Sequence, residues 1–287
     1  MIVVTTTNAY TKRMVLPEEE KLLRLAQMGY DGLDMSFTDD RNHPFWQDGW
    51  EAYVENLAQL AKKHGVAYTH AHLPGDTYLP EEVYTRLLKI AGMLGIRYAV
   101  LHPLWWHEDG SIIADKEAFI QKNAPKYKII AEEAGKNGVT LLCENLLWGA
   151  SIYPEVQSRM VETVNSPWFG WCFDVGHANV FNLSAADICG LKHIPSSLHI
   201  HDNHGGNPGD VEKESASLGT DEHQPMGEGS VDWKNFLIML KKSGYQGEFV
   251  LEVSPRVQGE FTPEKLEARL TDLLARARKM VAYYETL

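Results

Sequence analysis

Lys136-Asn-Gly-Val-Thr-Leu-Leu-Cys-Glu-Asn145 is the stretch on which the fold turns. A long amphipathic run ends at Lys136-Asn. Gly138 then supplies a residue that tolerates the left-handed conformation closing a helix, where a Cβ would be costly. A short β-rich run follows and stops at a carboxylate and an amide. The same order of helix, Gly and strand recurs at Gln27-Met-Gly-Tyr-Asp-Gly, Lys63-His-Gly-Val, Met93-Leu-Gly-Ile and Lys242-Ser-Gly-Tyr.

Working outward, eight such pairs span the chain. The strand candidates are Ile2–Thr7, Gly32–Phe37, Ala67–Leu73, Tyr98–Pro103, Thr140–Leu146, Gly170–Val175, Ser197–Asn203 and Glu248–Ser254. Helical periodicity lies near 17–28, 48–64, 80–95, 116–137, 153–165, 184–193, 231–243 and 262–285. Repeated βα units predict parallel strands with right-handed crossovers, and eight of them in 287 residues predict one closed (β/α)8 barrel over residues 1–287. An open doubly wound sheet is the alternative. It lacks its usual mark, because Thr7-Asn-Ala-Tyr rather than a G-x-G-x-x-G turn follows the first strand, and no nucleotide cofactor is expected. The longest non-helical segment, about 204–230, is expected to be a loop, and Asn207 to Leu218 in it has the composition of a mobile lid or a solvated insertion.

Composition narrows the function. With 44% hydrophobic residues, 27 Lys+Arg and 39 Asp+Glu, the formal net charge is −12, which disfavours a broad nucleic-acid footprint or an anionic membrane surface as partner. No apolar run reaches the length of about 20 residues that a spanning helix needs. Met1-Ile-Val-Val-Thr lacks the pattern of a signal peptide, so a cytoplasmic location is expected. The 3 cysteines, Cys143, Cys172 and Cys189, form no C-x-x-C pair and agree with a reducing compartment. A small-molecule substrate is favoured, and a homo-oligomer is left open.

In a barrel, polar residues at the carboxyl ends of the strands converge on one pocket. Strand three ends in Thr69-His70-Ala-His72, strand four in Leu101-His102-Pro, strand five in Cys143-Glu144-Asn145, strand six in Phe173-Asp174-Val-Gly-His177, strand seven in Leu198-His199-Ile-His201-Asp202-Asn203 and strand eight in Leu251-Glu252-Val. One such histidine alone is more often a hydrogen-bonded core or surface residue than a ligand. Six strand ends carrying the same chemistry are another matter. Carboxylates and imidazoles packed together without a counter-charge are costly to bury, and a divalent cation removes that cost. Mixed Glu/Asp/His donors suit Mn²⁺, Co²⁺, Mg²⁺ or Zn²⁺. His199 and His201 are two apart on one strand and are expected to face inward together.

These residues resemble the xylose isomerase-like TIM-barrel superfamily, which includes sugar phosphate isomerases and epimerases and endonuclease IV. The resemblance rests on Glu144-Asn, Asp174-Val-Gly-His177, His199-x-x-Asp202 and Leu251-Glu252 and covers nearly the whole chain. It implies that Glu144, Asp174, His199 and Glu252 hold one divalent metal; His201, facing inward beside His199, is then expected to be a substrate or supporting contact. It also implies that Glu144 and Glu252 act as acid/base partners on opposite sides of a substrate carbon, with His177 holding a hydroxyl. The activity so implied is isomerisation or epimerisation of a sugar or sugar-like hydroxyketone by α-proton transfer through a metal-stabilised enediolate. His70, His102, His201 and Trp106 are the expected substrate contacts, and Trp105 and Trp148 can extend an apolar wall.

Two alternatives remain. Endonuclease IV is expected to hold three metals, and here His70, His102 and Glu144 look like one further site and His177, Asp221 and His223 another, which points to phosphoester hydrolysis. A non-catalytic sugar-binding barrel would present the same pocket without turnover. The ketohexose epimerases carry a Glu and an Arg where this chain has Ala150 and Gly205, so its substrate-orienting residues differ from theirs. Lys12, Arg13 and Arg256 are the basic residues near strand ends that can anchor a phosphate. Met226-Gly-Glu-Gly-Ser-Val-Asp-Trp233 resembles a segment of the isomerase branch that leads into the next helix.

Overall fold

The computed structural model describes residues 1–10, 14–75, 78–253 and 260–287. Lys12, Arg13, Arg256 and the end of the eighth strand candidate, Ser254, lie outside the described residues. Eight parallel strands close into a barrel in sequence order: β1 (Val3–Thr6), β2 (Gly32–Ser36), β3 (Ala67–His72), β4 (Tyr98–Val100), β5 (Thr140–Glu144), β6 (Phe169–Asp174), β7 (Ser197–Ile200) and β8 (Phe249–Leu251). Closure is made by β1 against β8, with Val4 opposite Val250 and Thr5 opposite Leu251. This is a (β/α)8 TIM barrel.

The helices, in chain order, are α1 (Glu18–Met28), α2 (Trp50–His64), α3 (Glu81–Leu94), α4 (Lys116–Lys136), α5 (Pro154–Val164), α6 (Val175–Val180), α7 (Pro208–Lys213), α8 (Trp233–Ser243) and α9 (Pro263–Thr286), most of them wrapped around the barrel. Leu22 and Leu25 on α1, Leu87, Leu88 and Ile90 on α3, and Leu270 and Leu273 on α9 are fully buried between helix and barrel. Each is one stripe of an otherwise polar helix, so burial of that stripe rather than helix propensity holds the layer in place. Gly65 closes α2 at φ 70° and aims the chain into β3, as the helix–Gly–strand grammar predicts.

Two expectations are corrected. The helical pattern read at 184–193 forms turns, and the helix after β6 is instead the short α6, which starts directly at the strand end. The cause is Asp174, whose carboxylate accepts from the His177 N–H at 2.6 Å and so caps a helix there. The 204–230 segment is not helix-free, since α7 lies within it. It is also bonded to the rest of the mouth: Gly149 N–H donates to the Glu214 carbonyl at 2.7 Å, Ala216 N–H to the Leu147 carbonyl at 3.1 Å, and Asp202 and Gln224 exchange backbone bonds. Asp202, completely buried, ties the segment's end by accepting from Gly227 N–H (2.8 Å) and Trp233 Nε1 (2.9 Å). That is the structural use of the Met226–Trp233 motif.

Candidate metal centre and active site

Glu144 and Asp174 are the last residues of β5 and β6, His199 is the third residue of β7, and Glu252 follows β8 directly. Their ligand atoms come within 4.8 Å of one another at the mouth. His199 Nδ1 is the point of convergence, 2.8 Å from Glu144 Oε1, 3.1 Å from Glu252 Oε2 and 4.0 Å from Asp174 Oδ2. The structure thus brings together the four residues that the sequence singled out.

Three further groups adjoin it, one of which, His72, His199 and Glu252, shares two of its residues. His177, His201, Asp221 and His223 cluster within the same span, as do His72, His102 and Glu144. His102 Nε2 lies 3.2 Å from Glu144 Oε2. Here an expectation fails, because the histidine of β3 that meets His102 and Glu144 is His72, not His70. Residues two apart on a strand share a face but stand at different heights in the barrel. His70 sits one layer deeper, fully buried, bonded through Nδ1 to Thr69 Oγ1 and through Nε2 to Ser197 Oγ, both at 2.9 Å. It belongs to the interior, outside the candidate ligand groups and the cavity lining among the described residues. His201 faces inward as expected, but its Nε2 is 3.1 Å from both Asp174 oxygens and its ring stacks on His223, which places it within the Asp221 group.

Sequence reasoning missed Asp34 on β2. Its carboxylate, completely buried, accepts from His72 Nδ1 at 3.0 Å and turns that ring's Nε2 toward the mouth. The same device appears twice more. His177 Nδ1 donates to the Asn145 carbonyl (2.8 Å) and His223 Nδ1 to the Glu252 carbonyl (2.7 Å), leaving each Nε2 beside Asp221. An acceptor fixed on one ring nitrogen is how proteins orient an imidazole for ligation through the other. Only the alternation in Gly32-Leu-Asp-Met-Ser, with one acid among apolar residues, hinted at Asp34. Gly176 makes the Asp174–His201 approach possible, because a Cβ there would overlap the His201 ring.

The residues present fit a divalent cation. His72 Nε2 and Asp221 Oδ1, both turned toward these clusters, are buried without hydrogen-bond partners, a rare condition unless another group is to be held. Charge points the same way. Burial pushes the Glu144 carboxyl up, but His199 and His102 outweigh it and hold it well below the usual carboxylate range. Burial likewise opposes ionisation of Asp221, which His177 and His223 hold far below its ordinary value. Burial pushes His72 and His223 down, yet Asp34 and Glu252 carry the first, and Asp221 and Glu252 the second, up to about 9. The carboxylates therefore stay ionised and demand positive charge, which protons or a cation supply.

Beside the clusters opens a cavity of about 620 Å³ whose far wall includes Trp105, Trp106 and Trp148. Trp105 stacks on Trp148 with centroids 4.3 Å apart, and Trp148 Nε1 donates to the Ala216 carbonyl at 3.0 Å. A concave, partly apolar basin with convergent polar groups at one end is the usual form of a small-molecule site.

Fold and site together define a (β/α)8 barrel with a carboxylate–imidazole centre suited to a divalent cation at its carboxyl mouth. The chain belongs to the xylose isomerase-like TIM barrel family, whose model matches residues 22–277. An uncharacterized protein of Methanocaldococcus jannaschii is 26% identical over 250 residues, covering 77% of this chain and 79% of that protein. Among solved structures, a D-psicose 3-epimerase crystallised in the presence of D-fructose superposes with a TM-score of 0.73 at 15% identity, over 98% of this chain and 99% of the other. The IolI protein with a bound zinc atom superposes with the same TM-score at 18% identity, over 99% and 98%. At these identities the likeness is one of fold. No helix among the described residues is long and apolar enough to cross a membrane.

Proposed function

We propose that this chain is a divalent-metal-dependent isomerase or epimerase acting on a sugar or sugar-like hydroxyketone by α-proton transfer. The observation that carries the reading is the division of labour within each glutamate. Glu144 keeps Oε1 at His199 and turns Oε2 toward His102, whereas Glu252 keeps Oε2 at His199 and turns Oε1 to 3.6 Å from His72 Nε2. Each carboxylate thus has one oxygen for ligation and one for a proton.

Glu144, Asp174, His199 and Glu252 would hold the ion, with Mn²⁺ or a similar cation favoured. When bound, such an ion would polarise a substrate carbonyl and stabilise the negative charge left as the α-proton departs. Glu144 and Glu252 then remove and return the α-proton from opposite sides. His177, anchored by the Asn145 carbonyl, holds a hydroxyl, and His102 and Trp106 contact the substrate. His72 takes the place first read for His70.

The test is exchange of substrate α-hydrogen for solvent deuterium across ketoses, hydroxy-ketoacids and inososes, with the metal removed and restored. Metal-dependent exchange supports the reading, and its absence across the panel sinks it. The group around Asp221 supports a second reading, phosphoester hydrolysis over several metals. It predicts cleavage of a simple phosphodiester in place of exchange. Against it, no Lys or Arg lines the cavity among the described residues.

A further inference from the structure

The cavity beside the metal centre is chemically two-faced. Its polar side chains, His102, Glu144, His177, Asp221, His223 and Glu252, all belong to the candidate ligand groups. The rest of the wall is formed chiefly by Trp105, Trp106, Trp148, Leu146, Leu147 and Leu218. Among the described residues it offers no Ser, Thr, Asn, Gln, Lys or Arg side chain. A free ketose carries hydroxyls along its whole length. Those near the centre find partners, but those pushed against the tryptophans would lose water and gain nothing, which is costly. The wall instead suits a flat apolar group, which aromatic faces receive well.

The construction of the wall supports the same conclusion. Trp105 is packed between Trp148, stacked at 22°, and Trp106, set edge-on at 73°. The Trp148 ring is fixed by its bond to Ala216, and the backbone at Trp106 bridges to Ile112. The stacked Trp105–Trp148 pair is held in place before any ligand arrives, so little ordering of it is needed on binding. Leu218, 71% exposed at the rim, extends the apolar path outward from the cavity.

We infer that the substrate is a sugar bearing an apolar, flat substituent, such as an aryl glycoside in its oxidised keto form, with the sugar at the metal centre and the substituent against Trp105 and Trp106. This rests on the isomerase reading for the chemistry, but the binding preference stands apart from turnover. The probes are phenyl β-D-glucopyranoside and methyl β-D-glucopyranoside, titrated into the Mn²⁺-loaded protein and followed by tryptophan fluorescence and calorimetry. The phenyl glycoside is expected to bind at least about tenfold more tightly. Trp105→Ala and Trp106→Ala should each remove most of that advantage, while Trp106→Phe, which keeps an aromatic face, should retain it.

Equal affinity for the two probes, including no detectable binding of either, overturns the inference. So does an advantage that survives in both alanine variants. Deuterium exchange separates the two levels. A phenyl preference without exchange on any keto sugar leaves the substrate class standing and removes the isomerase reading. Exchange on free ketoses without a phenyl preference does the reverse.

Discussion

His199 Nδ1 lies 2.8 Å from Glu144 Oε1, and the imidazole is completely buried. β7 supplies the nitrogen and β5 the oxygen, although these strands are not neighbours, so the contact crosses the barrel mouth. Glu144 is thus fixed at its inner oxygen while its outer one faces His102 at 3.2 Å. Glu144→Gln and Glu252→Gln should each lower turnover by ~10²-fold or more, since each loses a ligand charge and a proton carrier. Steady-state rates on an exchanging substrate, with circular dichroism to confirm folding, check this. Near-normal rates in either variant remove that residue from the proton path.

Asp174 has a different part. Its carboxylate caps α6 through the His177 N–H and contacts His201, leaving no oxygen that faces the cavity alone. Asp174→Asn keeps an oxygen for the cap and loses a ligand charge, so metal affinity should fall by at least about 10- to 100-fold, the loss that changes to a ligand's supporting partners already bring. Activity should return when the metal concentration is raised. Failure of excess metal to restore it would mean that Asp174 does more than bind.

How far the sequence reveals this centre is visible in three residues. Glu144 could be read because a carboxylate ending an apolar run has one direction to point, and the helix–Gly–strand grammar fixes which end of the barrel that is. His72 was passed over for His70 because residues two apart on a strand face the same way, and height in the barrel is set by strand stagger, not by local pattern. Asp34 escaped notice since its role exists only against His72, 38 residues away. Likewise α6 replaced the pattern at 184–193 because a cap at Asp174 began a helix earlier than periodicity could reveal.

His70 makes a prediction for stability. Burial pushes its imidazole down to about 3, whereas an unfolded histidine titrates near 6.5. Between those values the unfolded chain binds a proton that the native one refuses, so stability falls as the pH drops through that window. From pH 7 to pH 5 this amounts to about 2 kcal/mol, at ~1.4 kcal/mol per pH unit below 6.5. His70→Gln should start less stable at pH 7, having disturbed the bonds to Thr69 and Ser197, and lose less on acidification. Urea midpoints at the two pH values measure it, and parallel losses in both proteins would refute it.

Gly176 tests whether the two neighbouring clusters depend on one another. Gly176→Ala places a methyl where the His201 ring lies, so His201 must leave Asp174. The helix itself gains from alanine, by roughly 0.5–1 kcal/mol. The variant should therefore fold, bind the second equivalent of metal more weakly, and retain the first. Calorimetric titration with Mn²⁺ resolves the two, and an unchanged isotherm would show that His201 takes no part.

The number of ions divides the competing chemistries. Glu144, Asp174, His199 and Glu252 bring three carboxylates to one imidazole, which makes this the most negative of the groups and the one that should fill first. The Asp221 group has one carboxylate among three imidazoles, and the His72–His102 group borrows Glu144 from the first site. Once an ion neutralises Glu144, the borrowed group offers a second ion mostly neutral donors. Those donors serve equally well as hydrogen-bond partners for a hydroxylated substrate. The expected result is one tightly held ion per chain and partial occupancy elsewhere. Elemental analysis after dialysis gives the number and anomalous scattering the positions. Two or three full sites would shift the assignment to phosphoester hydrolysis, with water activated between ions, and a chain that keeps none would leave the glutamates without the charge that their proposed proton chemistry requires.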